Sequence, residues 1–295
     1  MLRRVINSNS HKQSQLKDFL DYPQKVRNII IYGERYHELL NFTNFSLCKL
    51  GSNIMCTMLK VCSKKIIKHV INNLNCYSTL DRHQESLLYD LISSLKNVDL
   101  FKYFLEKYYF VLEMENRNGE RPINKAIIKN NFDFVTILIN KGIDLEYADG
   151  YSKLPVHYAC VYASLNIIEL LVNKGVDLES ESRYKWRPIH FVRSEHIYQK
   201  ESCKHRAIEI IQYLINKGVN LESQTDYGWR PIHFICRYEN LECIKYFLSL
   251  NVDKNARINK DDNGNDVDYG IRDLLEMNRY ISFNEKQELL DMIGN

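Results

Sequence analysis

Between Gly119 and Asn255, apolar residues recur three and four apart in paired blocks, and a proline stands just inside the start of each pair. Residues at that spacing share one face of a helix, so each pair predicts two short amphipathic helices. Proline suits the first helical position because its missing N–H would have no intrahelical acceptor there. In the second helix of a pair, Val135, Leu138 and Ile139, or Ile168, Leu171 and Val172, supply the stripe to be buried. The Lys-Gly that follows is a C-cap signal, since glycine enters the left-handed region without steric penalty.

The pairs are copies of one another. Pro122, Pro155, Pro188 and Pro231 are separated by 33, 33 and 43 residues, and Lys141-Gly142, Lys174-Gly175 and Lys217-Gly218 by 33 and 43. The unit is therefore 33 residues long, and the third copy carries a ten-residue insertion between its helices. In register the copies are GERPINKAIIKNNFDFVTILINKGIDLE, SKLPVHYACVYASLNIIELLVNKGVDLE, KWRPIHF continued by AIEIIQYLINKGVNLE, and GWRPIHFICRYENLECIKYFLSLNVDKN. Weaker copies are expected upstream, around 101–105 and 67–73. Downstream, residues 266–278 and 285–293 predict two further helices after a polar loop at 259–265.

The triplets Pro155-Val156-His157, Pro188-Ile189-His190 and Pro231-Ile232-His233, with the Gly-[Ile/Val]-[Asp/Asn]-Leu-Glu tails, resemble the ankyrin repeat. Where that family has threonine before the proline, this chain has Arg121, Leu154, Arg187 and Arg230, which puts the local turn geometry in question. The repeated Trp-Arg-Pro-Ile-His-Phe wording is similar to ankyrin proteins of giant DNA viruses of amoebae. The resemblance implies an all-α solenoid of paired antiparallel helices with projecting β-turns, elongated because each repeat touches only its neighbours. The expected organisation is a helical segment of unassigned role at 1–48, two degenerate repeats at 49–116, four repeats at 117–255 and a helical cap at 256–295.

Composition narrows the function. Forty Lys and Arg against 37 Asp and Glu leave a net charge of +3, too little for a surface that tracks phosphates, so nucleic acid is not an expected partner. No stretch approaches the roughly 18 apolar residues of a membrane span, and the basic start MLRRVINSNSHKQSQ has no apolar run behind it. A soluble, unsecreted protein in a reducing compartment, host cytoplasm or nucleus, is expected. The eight cysteines form no CxxC pair and sit among apolar neighbours, as reduced core thiols do.

Three features suggest chemistry and are better explained without it. His157, His190 and His233 occupy one register, but equivalent side chains in stacked repeats lie about 10 Å apart, too far to share a metal. Backbone-bracing imidazoles are expected, and Asn124, their counterpart in the first copy, can also bond backbone. The insertion at 193–206 holds His196, Cys203 and His205, zinc-ligand types with no fourth ligand and an unusual spacing. Glu146, Glu179 and Glu222 recur at one register and read as a solvated edge. With no phosphate loop, dinucleotide fingerprint or nucleophile elbow in the sequence, neither enzyme activity nor a cofactor is expected.

In the ankyrin family, partners are commonly bound by the turn before the proline and the end of the first helix. The resemblance carries that role to Tyr151 and Lys153, to Arg183, Tyr184 and Trp186, and to Asp226, Tyr227 and Trp229. At first-helix ends it adds Tyr162, Arg237 and Tyr238. Tyr, Trp and Arg are the residues enriched at binding hot spots, although rings beside a turn can also pack between neighbouring turns. The expected function is non-catalytic protein binding by a monomeric scaffold or adaptor, with a host protein as target. The alternative is an array that targets a catalytic or nucleic-acid-binding element within 1–48.

Overall fold

Each proline of the repeat starts a helical segment. The computed structural model describes residues 64–72, 92, 97–192, 204–261 and 263–294, and divides the chain into the units Met1–Arg117 and Asn118–Asn295. The described part is mostly helical. In the first unit, α1 (Lys64–Asn72) packs on α2 (Val98–Lys107), which is followed by a 3-10 turn at Tyr109–Glu113. Asn97 caps α2 by accepting the Leu100 N–H at 3.1 Å. Phe101, Phe104 and Leu105 face inward, and the Tyr108 hydroxyl donates to the Ile71 carbonyl at 2.6 Å. The segment 1–48 lies outside the described residues.

The second unit is built from helix pairs: α3 (Pro122–Ile128) with α4 (Phe132–Asn140), α5 (Pro155–Tyr162) with α6 (Leu165–Asn173), a 3-10 segment (Pro188–Phe191) with α7 (Lys204–Asn216), and α8 (Pro231–Tyr238) with α9 (Leu241–Leu248). Two short strands, β1 (Arg257–Lys260) and β2 (Asp266–Gly270), precede a last pair, α10 (Ile271–Glu276) and α11 (Phe283–Ile293). First helices pack on first helices from α3 through the 3-10 segment to α10, and second helices on second helices from α4 to α11. Each pair thus buries its faces against its sequence neighbours. One register supplies the same wall in every copy: Leu138, Leu171, Leu214 and Phe247 are fully buried, as are Ile123, Val156 and Ile232 after their prolines.

The helix ends follow from residue type. Gly142, Gly175 and Gly218 stop α4, α6 and α7 with φ of 82°, 85° and 82°, the left-handed turn in which a Cβ would be strained. Cys160 and Cys236 are free, fully enclosed thiols at one register, and burial pushes the Cys160 thiol up to about 12. They behave as small apolar groups.

Two expectations change. In the third copy the first helix shrinks to the 3-10 segment, because Val192 leaves the helix with φ −68° and ψ 112°; the insertion that follows, with His196 and Cys203, lies outside the described residues. Residues 266–270, expected to be helical, form β2, so the described fold is not purely α. The physical cause is a turn. Asp261 accepts the N–H groups of Asn263 and Asn265 at 2.9 and 2.8 Å, Gly264 has φ 81°, and the flanking segments then pair antiparallel, with Ile258 opposite Tyr269. Helix begins only at Ile271, where Asp273 accepts the Gly270 N–H at 2.7 Å.

Candidate protein-binding face

Three turns between repeats share one hydrogen-bonding plan. Asp149, Ser182 and Thr225 each donate an N–H to the carbonyl four residues on (Lys153, Trp186, Trp229) and accept from the residue three on (Ser152, Lys185, Gly228) at 2.8–3.0 Å. Asp149 and Thr225 also turn their side-chain oxygens onto the backbone N–H groups inside the turn. Successive turns are tied edge to edge: Gly150 donates to Asn118, Arg183 to Tyr151, Asp226 to Tyr184 and Asn259 to Tyr227, at 2.8–3.3 Å. The result is a ladder of backbone hydrogen bonds with Tyr151, Tyr184 and Tyr227 on consecutive rungs.

The position after each of the four ladder acceptors, Asn118, Tyr151, Tyr184 and Tyr227, is left-handed, with φ of 74° at Gly119, 59° at Ser152, 60° at Lys185 and 77° at Gly228. Tyr184 is left-handed too, at 62°. Non-glycine residues in that region cost on the order of 1–2 kcal/mol each, so the turn from Ser182 to Trp186 is the most strained of the set. Its tyrosine is thereby laid over Tyr227, ring centroids 5.2 Å apart and planes 27° from parallel.

Of the expected binding residues, Tyr151 and Tyr184 are about half exposed, at 48% and 47%, and Arg183 and Asp226 are exposed beside them. Lys153 and Tyr227 are half-buried. At the first-helix ends Tyr162, Arg237 and Tyr238 are also half-buried: Tyr162 stacks on Tyr158, and Arg237 lies over the Tyr238 ring while donating to the Met277 carbonyl. Both tryptophans pack. Trp186 meets Phe191 of its own repeat at 5.3 Å and Phe234 of the next at 4.7 Å. Trp229 is 3% exposed, meets Phe234 at 4.7 Å and donates its indole N–H to the Lys260 carbonyl at 2.7 Å. Trp229 is therefore withdrawn from the expected stripe, because the β1–β2 hairpin covers it.

The histidines brace backbone as expected. Nδ1 of His157, His190 and His233 accepts the N–H of Leu154, Arg187 and Arg230 at 2.8–2.9 Å, and Nε2 lies 3.1 Å from the carbonyls of Ser180, Ser223 and Ala256. An N–H can only donate and a carbonyl can only accept, so each ring is the neutral tautomer protonated at Nε2. The imidazole does the back-bonding of a capping-box Glu and also reaches the following turn. Burial lowers all three pKa values, to about 4 at His157 and His190, and proton loss costs nothing at pH 7.

The glutamate register proved more than a solvated edge. Glu179 accepts the Asn220 N–H at 2.7 Å and Glu222 the Asp253 N–H at 2.9 Å, each tying one repeat's tail to the next, and Glu146 takes the same bond from Asp177. Arg187 and Arg230, in the unusual position before proline, pair with Glu179 and Glu222. Sequence showed the recurrence but not the acceptor role, since the partner is a main-chain group in another copy. Among the described residues no group of three or more His, Cys, Asp or Glu is placed to hold a metal ion, and no helix is long and apolar enough to cross a membrane.

A search of curated proteins returned no match to this chain. The family model for ankyrin repeats matches three copies across residues 88–182 and 200–266, more than half of the chain. With the bracing histidines, the C-terminal glycines and the laddered turns on the same residues, the chain belongs to the ankyrin-repeat family.

Proposed function

We propose that this chain is a non-catalytic scaffold that binds a protein partner through the turn tips and the adjoining first-helix ends of a solenoid. The observation that carries this reading is the tip ladder, where Tyr151, Tyr184 and Tyr227 stand at one register with two of them half exposed. Tyrosine offers large, fairly rigid contact area with a polar edge, as binding surfaces use. Strain at Tyr184 and Lys185 adds support, since costly backbone persists where it places a side chain for use. The scaffold acts as a single chain inside the cell, and a host protein is the target that its resemblance to viral ankyrin proteins suggests.

Position-specific photocrosslinking tests the reading. A photoreactive phenylalanine analogue at Tyr151 or Tyr184 should trap one and the same partner, whereas the analogue at Asn140 or Asn216, the C-terminal residues of second helices, should not. Equal trapping from both sets, or trapping only at the helix ends, would remove the tips as the binding face.

A further inference from the structure

We infer that the tip ladder takes an extended acidic peptide segment, held by Arg183 and Lys153 between the tyrosine rungs. This deepens the proposed function and rests on it. The argument is one of charge. Arg183 lies over the Tyr151 ring at 5.6 Å and Lys153 over the same ring at 5.7 Å, with Lys153 also 5.3 Å from the Phe191 centroid. Neither has a carboxylate within ion-pair distance among the described residues. By contrast Arg187, Arg230 and Arg257 each hold at least one.

The acids of the same turns are committed. Asp149 is 7% exposed; one oxygen takes the N–H groups of Tyr151 and Lys153 and the other the Tyr158 hydroxyl, at 2.5–2.8 Å. Asp226 sits 3.5 Å from Lys185, and Glu179 and Glu181 are paired with Arg187. The cations of these two turns left without an acid among the described residues are therefore Arg183 and Lys153, and Arg183 is exposed. A guanidinium resting on a ring is weakly hydrated there and keeps its planar fork open for a carboxylate, while Tyr151 and Tyr184 present half-exposed rings on either side along the chain.

Spacing suggests the form of the ligand. Neighbouring repeats lie about 10 Å apart, and an extended strand rises about 3.3 Å per residue, so acids at every third position would meet consecutive rungs. A nucleic acid strand would also stack on tyrosine, but two unpaired cations neutralise few phosphates, and salt-sensitive phosphate binding grows with their number.

The test uses the full chain and three fluorescein-labelled probes: a Gly/Ser peptide with Glu at every third position, the same peptide with Lys for Glu, and a short oligothymidylate, followed by anisotropy. Saturable binding of the Glu peptide, lost at roughly 0.5 M salt, at least tenfold weaker in Arg183→Gln and switched to the Lys peptide in Arg183→Glu, is the expected result, with thermal midpoints unchanged in both variants. The inference is overturned if the Glu peptide does not saturate, if Arg183→Glu binds it as well as the parent, or if the oligonucleotide binds more tightly. Failure here with tip-specific crosslinking intact would leave the protein-binding reading standing and remove only the acidic ligand.

Discussion

His190 spans two repeats, its ring accepting from the backbone that precedes Pro188 and donating to the carbonyl of Ser223, 33 residues away. The first of these bonds requires a neutral ring, because a protonated Nδ1 cannot accept. The folded pKa near 4 lies below the ordinary 6.5, so the contribution to stability is complete above about pH 6.5 and is lost as pH falls toward 4. His157 follows the same course, also to about 4, and His233 shifts in the same direction. Arg187 and Lys153 near the rings push the same way, whereas Glu222 and Asp253 beside His233 oppose it. Urea denaturation at a series of pH values should show stability falling between pH 6.5 and 4 by up to about 1.4 kcal/mol per unit for each such histidine. A flat profile over that range would contradict the bracing tautomer.

Asn124 marks the first repeat as an incomplete copy. It is 2% exposed, stands at the histidine register, and its side-chain oxygen has no partner among the described residues. Asparagine is too short to span from the Arg121 N–H to the following turn. Asn124→His should install the missing bridge and stabilise the protein by about 1 kcal/mol, a typical net hydrogen-bond contribution. A lower melting temperature would show instead that the ring overfills the space below Arg121.

How far the fold could be read from sequence depended on the range of the cause. Proline at the first helical position, glycine at the helix end and histidine two residues after proline act within a few residues, so their recurrence gave the helix pairs directly. The β1–β2 hairpin did not show itself because Val267, Ile271, Leu274 and Leu275 imitate helical spacing, and the Asp261 turn wins only by its side-chain bonds. Trp186 and Trp229 look alike in sequence. They differ in burial because only Trp229 has the hairpin beside it, a relationship that crosses 31 residues. The tyrosine rungs were visible as a register; the cations left without acids needed the folded arrangement.

That difference between the tryptophans is measurable. Trp229→Ala removes a buried indole and leaves the Lys260 carbonyl without its donor, and should cost about 3–5 kcal/mol. Trp186→Ala, at a half-buried position, should cost less. Guanidinium denaturation of the two single variants decides: if Trp186→Ala is the worse lesion, the hairpin does not depend on Trp229 as the packing implies.

Strain in the ladder gives the last prediction. Ser152 and Lys185 hold φ of 59° and 60° where the equivalent positions on the flanking rungs are Gly119 and Gly228. Glycine at either position relieves roughly 1–2 kcal/mol of steric cost and gives back roughly half of that as extra freedom in the unfolded chain. Ser152→Gly and Lys185→Gly should each therefore raise stability by about 0.5–1 kcal/mol. Lys185→Gly also removes the contact with Asp226, but that pair is 3.5 Å apart and both side chains are well exposed, so its loss should not reverse the sign. Thermal unfolding of the two variants beside Ser152→Ala provides the check, because alanine keeps the strain and should give no gain. If glycine and alanine behave alike at Ser152, the left-handed backbone of the ladder carries no strain, and its support for a working surface at Tyr184 is withdrawn.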